Sequence, residues 1–236
     1  MVDETDSTNA DLLADPDAPD HSLLVAESQV AGRGRLDRTW VAPPRAGLTV
    51  SMLFRPGTPP ATWTWLPLLA GVSLCDAVSA ATAVPVGLKW PNDLLQRPEE
   101  GKLAGILAQT SGDAVVIGIG LNVSTTRDEL PVDTASSLAL AGSTVPDRTA
   151  LLITLAKEID HWLAHFVEAN GDAARAGLAT AYAQRCLTLG QTVTVTTTAG
   201  DQLHGEAIGI DADGRLEVLV DGSVQVIGAG DVQHVR

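Results

Sequence analysis

Aromatic side chains are scarce in this chain, with five Trp, two Phe and one Tyr among 236 residues. A core must therefore be built mostly from Leu, Val, Ile and Ala. Lysine is scarcer still, represented only by Lys89, Lys102 and Lys157. The two cysteines, Cys75 and Cys186, lie far apart and lack metal-site spacing. They read as reduced core thiols of a cytoplasmic protein. Apolar runs such as LPLLAGVSL are too short to span a bilayer. The acidic N-terminus MVDETDSTNADLLAD lacks a signal-peptide pattern. No internal repeat or low-complexity tract is present. Positive charge is in deficit: 15 Lys+Arg stand against 29 Asp+Glu, a formal net charge of −14. A pI near 4.5 argues against binding nucleic acid through the whole surface. The remainder is ordinary: 45% hydrophobic and 19% charged residues suffice for one large domain, or one domain plus a small one.

Several catalytic signatures are missing as well. Gly32 and Gly34 have no third glycine to complete GxGxxG, and Gly101-Lys102 lacks the remainder of a phosphate-binding GxxxxGK[ST] loop. His161 and His165 have the i, i+4 spacing of a metal pair, but Trp162 breaks HExxH, so two solvated histidines on a helix face are expected. No Ser-His-Asp or Cys-His arrangement is evident.

What the chain does have is a concentration of positive charge. Residues 28–55 hold Arg33, Arg35, Arg38, Arg45 and Arg55 with a single acid, Asp37, whereas the first 27 residues hold eight acids and no Lys or Arg. The stretch AESQVAGRGRLDRTW alternates Gly32 and Gly34 with Arg33 and Arg35. Glycine lets the backbone approach a ligand closely, and guanidinium forks with backbone N–H groups make an anion site. Trp40 beside it can offer a stacking face to a purine. In KWPNDLL, a strand runs into a Pro turn. Asn92 there can hydrogen-bond a base or ribose and Asp93 can hold Mg²⁺, although Pro-Asn-Asp is also common turn chemistry. Lys102 enters the apolar strand KLAGILAQ either as a snorkelling edge residue or as a functional cation. Gly105 within that strand suggests close approach by another group.

Patterning gives the elements. DSTNADLLAD starts a helix that Asp6, Ser7 or Thr8 can cap, with Leu12 and Leu13 inward. Strands are expected over 22–27, 48–54 and 86–90, and a long loop over 28–47. KLAGILAQT and AVVIGIGLNV form a hairpin. Helices are expected over about 63–83, 147–168 and 172–186, with Trp63 and Trp65 in the core. After Leu189 only strand patterns remain, with Asp221-Gly222 as a two-residue hairpin turn. The whole predicts an α+β main domain on a mixed sheet with a small β-barrel-like appendage.

The order DSTN, AESQVAGRGR, KWPND, GKLAGIL, GIGLNV and a closing β segment resembles the biotin protein ligases over nearly the whole chain. That resemblance implies a mixed-sheet catalytic domain flanked by helices, of the class II synthetase and biotin/lipoate ligase type, over 1–187, and an SH3-like β domain over 188–236. It implies a two-step reaction: biotin and ATP give biotinyl-5′-AMP and pyrophosphate, and biotin then passes to a lysine of a biotin carboxyl carrier domain. ATP and Mg²⁺ are the implied cofactors, with no membrane or DNA partner, in a monomer or homodimer. By position, Ser7, Thr8 and Gln29 are implied at the ureido ring, with Asn9 supporting them. Gly32, Arg33, Gly34 and Arg35 are implied as the loop closing over biotin and adenylate, Gly105 in the biotin pocket, and Lys102, with Arg33 and Arg35, as the catalytic cations. Arg38, Trp40, Asn92, Asp93 and Asn122 are implied at ATP, with Asp93 at the metal. The family's repressors carry an N-terminal winged helix-turn-helix. Here the signature begins at Ser7, so a ligase without repressor function is expected. VAPPRAG after Trp40 departs from the glycine-rich family pattern. Lipoate ligases of the same fold are the nearest rival, and the chain lacks their Arg-Arg and triple-Gly signature. A non-catalytic binder of an acyl-adenylate is disfavoured by the intact Lys102, Asp93 and loop arginines.

Overall fold

A computed structural model describes all residues except Asp37, Glu99, Glu100, Val145, Pro146, Ala199 and Arg236. Asp37, the one acid of the arginine-rich stretch, thus lies outside the described residues. The chain forms β1 (Val2–Thr5), α1 (Thr8–Ala14), β2 (Leu23–Gln29), β3 (Gly47–Phe54), α2 (Leu66–Ala81), β4 (Val86–Lys89), β5 (Asp93–Gln96), β6 (Lys102–Ser111), β7 (Ala114–Asn122), α3 (Arg148–Glu168) and α4 (Leu178–Arg185). Five strands follow: β8 (Thr192–Thr197), β9 (Gln202–Ile210), β10 (Leu216–Val220), β11 (Ser223–Ile227) and β12 (Gly230–His234).

β1 to β7 make one mixed sheet in the order β1-β2-β3-β7-β6-β5-β4, with only β1 and β2 parallel. β8 to β12 make a second, antiparallel sheet in the order β11-β10-β9-β8-β12. Strand alternation sorts the first sheet into two faces. Leu48, Val50, Met52 and Phe54 of β3 and Val115, Ile117, Ile119 and Leu121 of β7 join the main core. Against them α3 presents Leu151, Leu155, Ile159 and Leu163, a four-residue spacing that keeps one stripe inward. The opposite face carries Thr49, Ser51 and Leu53 of β3 and Val116, Gly118 and Gly120 of β7; Leu53 and Val116 are covered by Leu12 of α1, and the polar and glycine positions line a hollow.

α1 begins as expected, with Ser7 as its N-cap accepting from the Ala10 N–H. α3 is capped by Asp147, which accepts from the Thr149 N–H at 2.8 Å. Hairpins fall where the turn chemistry puts them. Gly112-Asp113 links β6 to β7, and Asp221-Gly222, both at positive φ, link β10 to β11. Two expectations are corrected, and one strand had none. The helix expected over 172–186 is confined to Leu178–Arg185, because Gly177 at φ +74° ends a preceding run of turns. The short strand β1 was not legible; its pattern is acidic and its only pairing is with β2. A 3-10 turn over Pro60–Trp65 runs into α2, so the helical stretch Pro60–Ala81 is long and apolar enough to cross a bilayer by length and composition. Its most apolar window is 67% buried within the fold, as befits a core helix.

The second sheet shares the main core through Val193, Val195, Leu216, Val218 and Val232. Trp65 and Trp90, both buried, donate their indole N–H groups to Ala212 O at 2.7 Å and Gly214 O at 3.0 Å. Two of the five tryptophans thus join the two sheets, with Tyr182 edge-on to Trp65 at 6.4 Å. Cys75 and Cys186 are free and buried, and burial pushes the Cys75 thiol up to about 11.

Candidate functional site

This second face of the first sheet holds a hollow that reaches from α1 and β2 to β5. At one end lie Ser7, Thr8, Asn9 and Gln29; at the other lie Arg33, Arg35, Arg38, Asp93 and Lys102. Its floor is the pair Gly105 and Gly120, which face each other across β6 and β7. A second hollow adjoins the cationic end and is lined by Asn122, Val132, Ala135 and His234.

The first end is uncharged, and its hydrogen-bond polarity is fixed. Asn9 Nδ2 faces the Leu107 carbonyl at 3.2 Å, which can only accept, so Asn9 Oδ1 must accept. Ser51 therefore donates to Asn9 Oδ1 at 2.6 Å, which uses its only proton. Thr8 then gives its single proton to Ser51 Oγ at 2.6 Å or to Gln29 Oε1 at 3.0 Å, and either use leaves Thr8 Oγ1 only an acceptor. Gln29 Oε1 accepts from the Thr8 backbone N–H at 2.8 Å, which turns Gln29 Nε2 away as a donor. A ligand here meets an obligate acceptor, Thr8 Oγ1, beside an obligate donor, Gln29 Nε2. Ser51 is fully buried and was not singled out from the sequence; its signal is a small polar residue alternating with apolar ones in a strand buried on both faces.

The Gly/Arg stretch, expected as a long loop, is a small hairpin. The Trp40 N–H donates to Gly32 O at 2.9 Å and the Gly34 N–H to Arg38 O at 2.6 Å, with Arg33 bridged to Thr39. Gly32 is needed there, since a Cβ would fall 2.4 Å from Trp40 O. The hairpin lays the Trp40 indole on the glycine floor, where a Cβ on Gly120 would come within 2.3 Å of the ring. One indole face is thus taken by the sheet. Lys102 Nζ lies 5.8 Å from the ring centroid, and Trp40 Nε1 is buried without a hydrogen-bond partner among the described residues.

The other end is charged. Lys102 Nζ pairs with Asp93 Oδ1 at 2.7 Å, and Arg38 pairs with Asp231 of β12 at 2.9 Å. Asp231 comes from the second sheet and has no signal in the local sequence. Its hydrogen bond holds the Arg38 guanidinium above its ordinary pKa, while burial pulls Arg35 below its own against the opposing charge of Asp93. Among the described residues the two hollows are lined by five Lys and Arg side chains (Arg33, Arg35, Arg38, Lys89, Lys102) and two carboxylates (Asp93, Asp231). In a chain of net charge −14 this end is built for an anion.

Two residues have other work. Asn92 Nδ2 donates to Ile106 O at 3.0 Å, tying the β4–β5 turn to β6. Asn122 Nδ2 donates to Ser136 O at 2.9 Å and lies in the second hollow rather than the first. Gly32 supports the hairpin from beneath. His161 and His165 are exposed on α3, ring to ring at 4.7 Å, and no group of three His, Cys, Asp or Glu suited to a metal occurs among the described residues. A magnesium ion held by one or two carboxylates and a nucleotide's own phosphates needs no such group, and Asp93 fits that donor set.

Comparison with known proteins bears on this geometry. The model of the biotin/lipoate A/B protein ligase family matches residues 1–122, and that of the biotin protein ligase C terminal domain matches residues 188–235. The chain is 42% identical to the biotin--[acetyl-CoA-carboxylase] ligase of Mycobacterium tuberculosis, over 100% of this chain and 88% of that protein. It is 31% identical to the bifunctional ligase/repressor BirA of Bacillus spizizenii, over 99% of this chain and 72% of that protein. Its fold matches the biotin protein ligase from Aquifex aeolicus in complex with biotin and ATP with a TM-score of 0.82, at 29% identity and covering 100% and 98% of the two chains.

Proposed function

The chain belongs to the biotin/lipoate A/B protein ligase family, and from that premise we propose that it is an ATP-dependent biotin protein ligase. The observation that carries the reading is the single hollow with two unlike ends. A neutral end presents one fixed acceptor and one fixed donor, which complement the N–H and C=O of a ureido ring. A cationic end suits a carboxylate meeting a triphosphate.

Thr8 and Gln29 hold the ureido ring, and the body of biotin runs along the hollow beside the Trp40 indole, which covers Gly105 and Gly120. The carboxylate then points toward Lys102 and Arg35. One carboxylate oxygen attacks the α-phosphorus of ATP. The bond from that phosphorus to the bridging oxygen breaks, giving biotinyl-5′-AMP and pyrophosphate. Two anions must approach each other, so the chain's contribution is preorganised positive charge from Lys102, Arg33 and Arg35. Magnesium, held by Asp93 and phosphate oxygens, supplies further charge neutralisation when bound. The hairpin Gly32–Trp40 covers the adenylate and excludes water from a hydrolysable anhydride. Arg38 serves the phosphates, the free face of Trp40 packs against the adenine, and Asn92 and Asn122 border the nucleotide. In the second step the amine of a lysine on a biotin carboxyl carrier domain attacks the acyl carbon, and AMP leaves. We take residues 1–187 as the ligand-binding domain and 188–236 as a β domain that brings Asp231 to the mouth.

The test is biotin-dependent ATP–pyrophosphate exchange, followed by streptavidin detection of a labelled carrier domain. Exchange driven by lipoate with no response to biotin overturns the reading.

A further inference from the structure

Four adjacent strands carry one cross-strand row. Gly120 of β7 faces Gly105 of β6, Gly105 faces Asp93 of β5, and Asp93 faces Lys89 of β4. Directly opposed residues share a sheet face, so all four stand on the side of the hollow. Neighbouring strands are about 4.8 Å apart, which places Lys89 roughly 10 Å beyond Gly105, toward the sheet edge. The row therefore reads outward as glycine floor, carboxylate, ammonium.

Lys89 is half-buried, lines both hollows, and makes no hydrogen bond or ion pair among the described residues. Its neighbours Lys102 and Arg38 are each already paired with a carboxylate. The Asp93 carboxylate that faces Lys89 across the strands is taken by Lys102, which leaves the Lys89 ammonium to meet an arriving anion. The carboxylate of biotin brings one negative charge, which Lys102 and Arg35 meet at the floor. The remaining excess of cations calls for a polyanion lying further out along the row.

Resting on the ligase reading above, we propose that Lys89 binds the β- and γ-phosphates of ATP and holds the pyrophosphate as it leaves, while Lys102 serves the α-phosphate. The leaving group then departs toward the sheet edge, away from the ureido end, and Lys89 takes no part in transfer from the finished adenylate.

The two half-reactions separate this role from others. Lys89→Ala raises the KM for ATP, and that for pyrophosphate in the reverse exchange, by about tenfold to hundredfold, the range expected for losing a charge-assisted contact. Transfer from preformed biotinyl-5′-AMP to a carrier domain keeps its wild-type rate, which also shows that the variant is folded. Lys89→Arg recovers most of the lost affinity. Unchanged KM values for ATP and pyrophosphate overturn the proposal. So does an equal loss in transfer from the preformed adenylate, which assigns Lys89 to the acceptor or the fold instead. Wild-type protein inert toward biotin in both assays removes the ligase reading itself, a result seen before any variant is made.

Discussion

The two ends of the hollow recognise by different physics. At the neutral end, Thr8, Asn9 and Ser51 are all buried below one-tenth exposure and their protons are assigned by a chain of hydrogen bonds rooted in backbone groups. At the charged end the ion-pair partners are partly wet, with Arg38 and Asp231 at 59% and 31% exposure and Lys102 and Asp93 at 32% and 18%. A buried, neutral, directional site discriminates, because a ligand that leaves its groups unpaired forfeits their desolvation. A partly solvated cluster of charges attracts, and its pairs can exchange partners at little cost. On the ligase reading proposed above, selectivity for the acid and acceleration of its activation are lodged at opposite ends.

The largest break in this contrast is Lys102→Ala. Loss of the cation at the reacting centre lowers biotin-dependent ATP–pyrophosphate exchange by about 10²–10³-fold, the range for removing one preorganised electrostatic contact. Exchange close to the wild-type rate removes Lys102 from that role. Thr8→Val probes the other end. It deletes the fixed acceptor and raises the KM for biotin by about tenfold, the value of one net hydrogen bond, while the KM for ATP stays unchanged. Equal rises in both constants mean that the two ends are not independent. Asp231→Asn is subtler. Freed from its carboxylate, Arg38 shifts the KM for ATP downward by a few-fold at low salt, in line with ~0.5–1 kcal/mol for an exposed pair, and the difference shrinks as salt is added. No salt dependence argues that Asp231 does not compete with phosphate.

Glu27→Gln lies outside both ends and serves as the control. Arg148 donates to Glu27 at 2.6 and 3.2 Å and to Gly47 O at 3.0 Å, joining β2 and β3 to the start of α3. The Arg148 hydrogen bond holds the Glu27 carboxyl below its ordinary pKa. Because the folded value is depressed, the stabilisation is complete above the ordinary Glu value of about 4.3. It fades as pH falls through the lower folded value. The substitution costs about 1 kcal/mol near neutral pH in this half-solvated setting, read by denaturant melts, and the difference between variant and wild type closes in acid. Neither KM moves. A shifted biotin KM makes β2 part of the recognition apparatus.

Much of this molecule was written in short-range pattern. Ser7 as a cap, Gly112-Asp113 and Asp221-Gly222 as hairpin turns, and the inward stripe Leu151, Leu155, Ile159, Leu163 each depend on neighbours within a few positions, so they are legible in a single chain. The Gly/Arg stretch announced an anion site because its charge departs so sharply from the acidic remainder. Its hairpin form did not show, since the bonds from Trp40 to Gly32 and from Gly34 to Arg38 arise from backbone groups that carry no residue identity. Longer distances decided the rest. Asp231 reaches Arg38 across most of the chain, because the second sheet docks through Trp65 and Trp90. Ser51 sets the polarity of Thr8 only when β3 lies beneath α1. Lys89, one of three lysines, gains its position from a row of residues that four strands bring into register. Local sequence determines which groups a segment can offer; pairing, burial and the direction of each proton follow from which distant groups the fold sets against them.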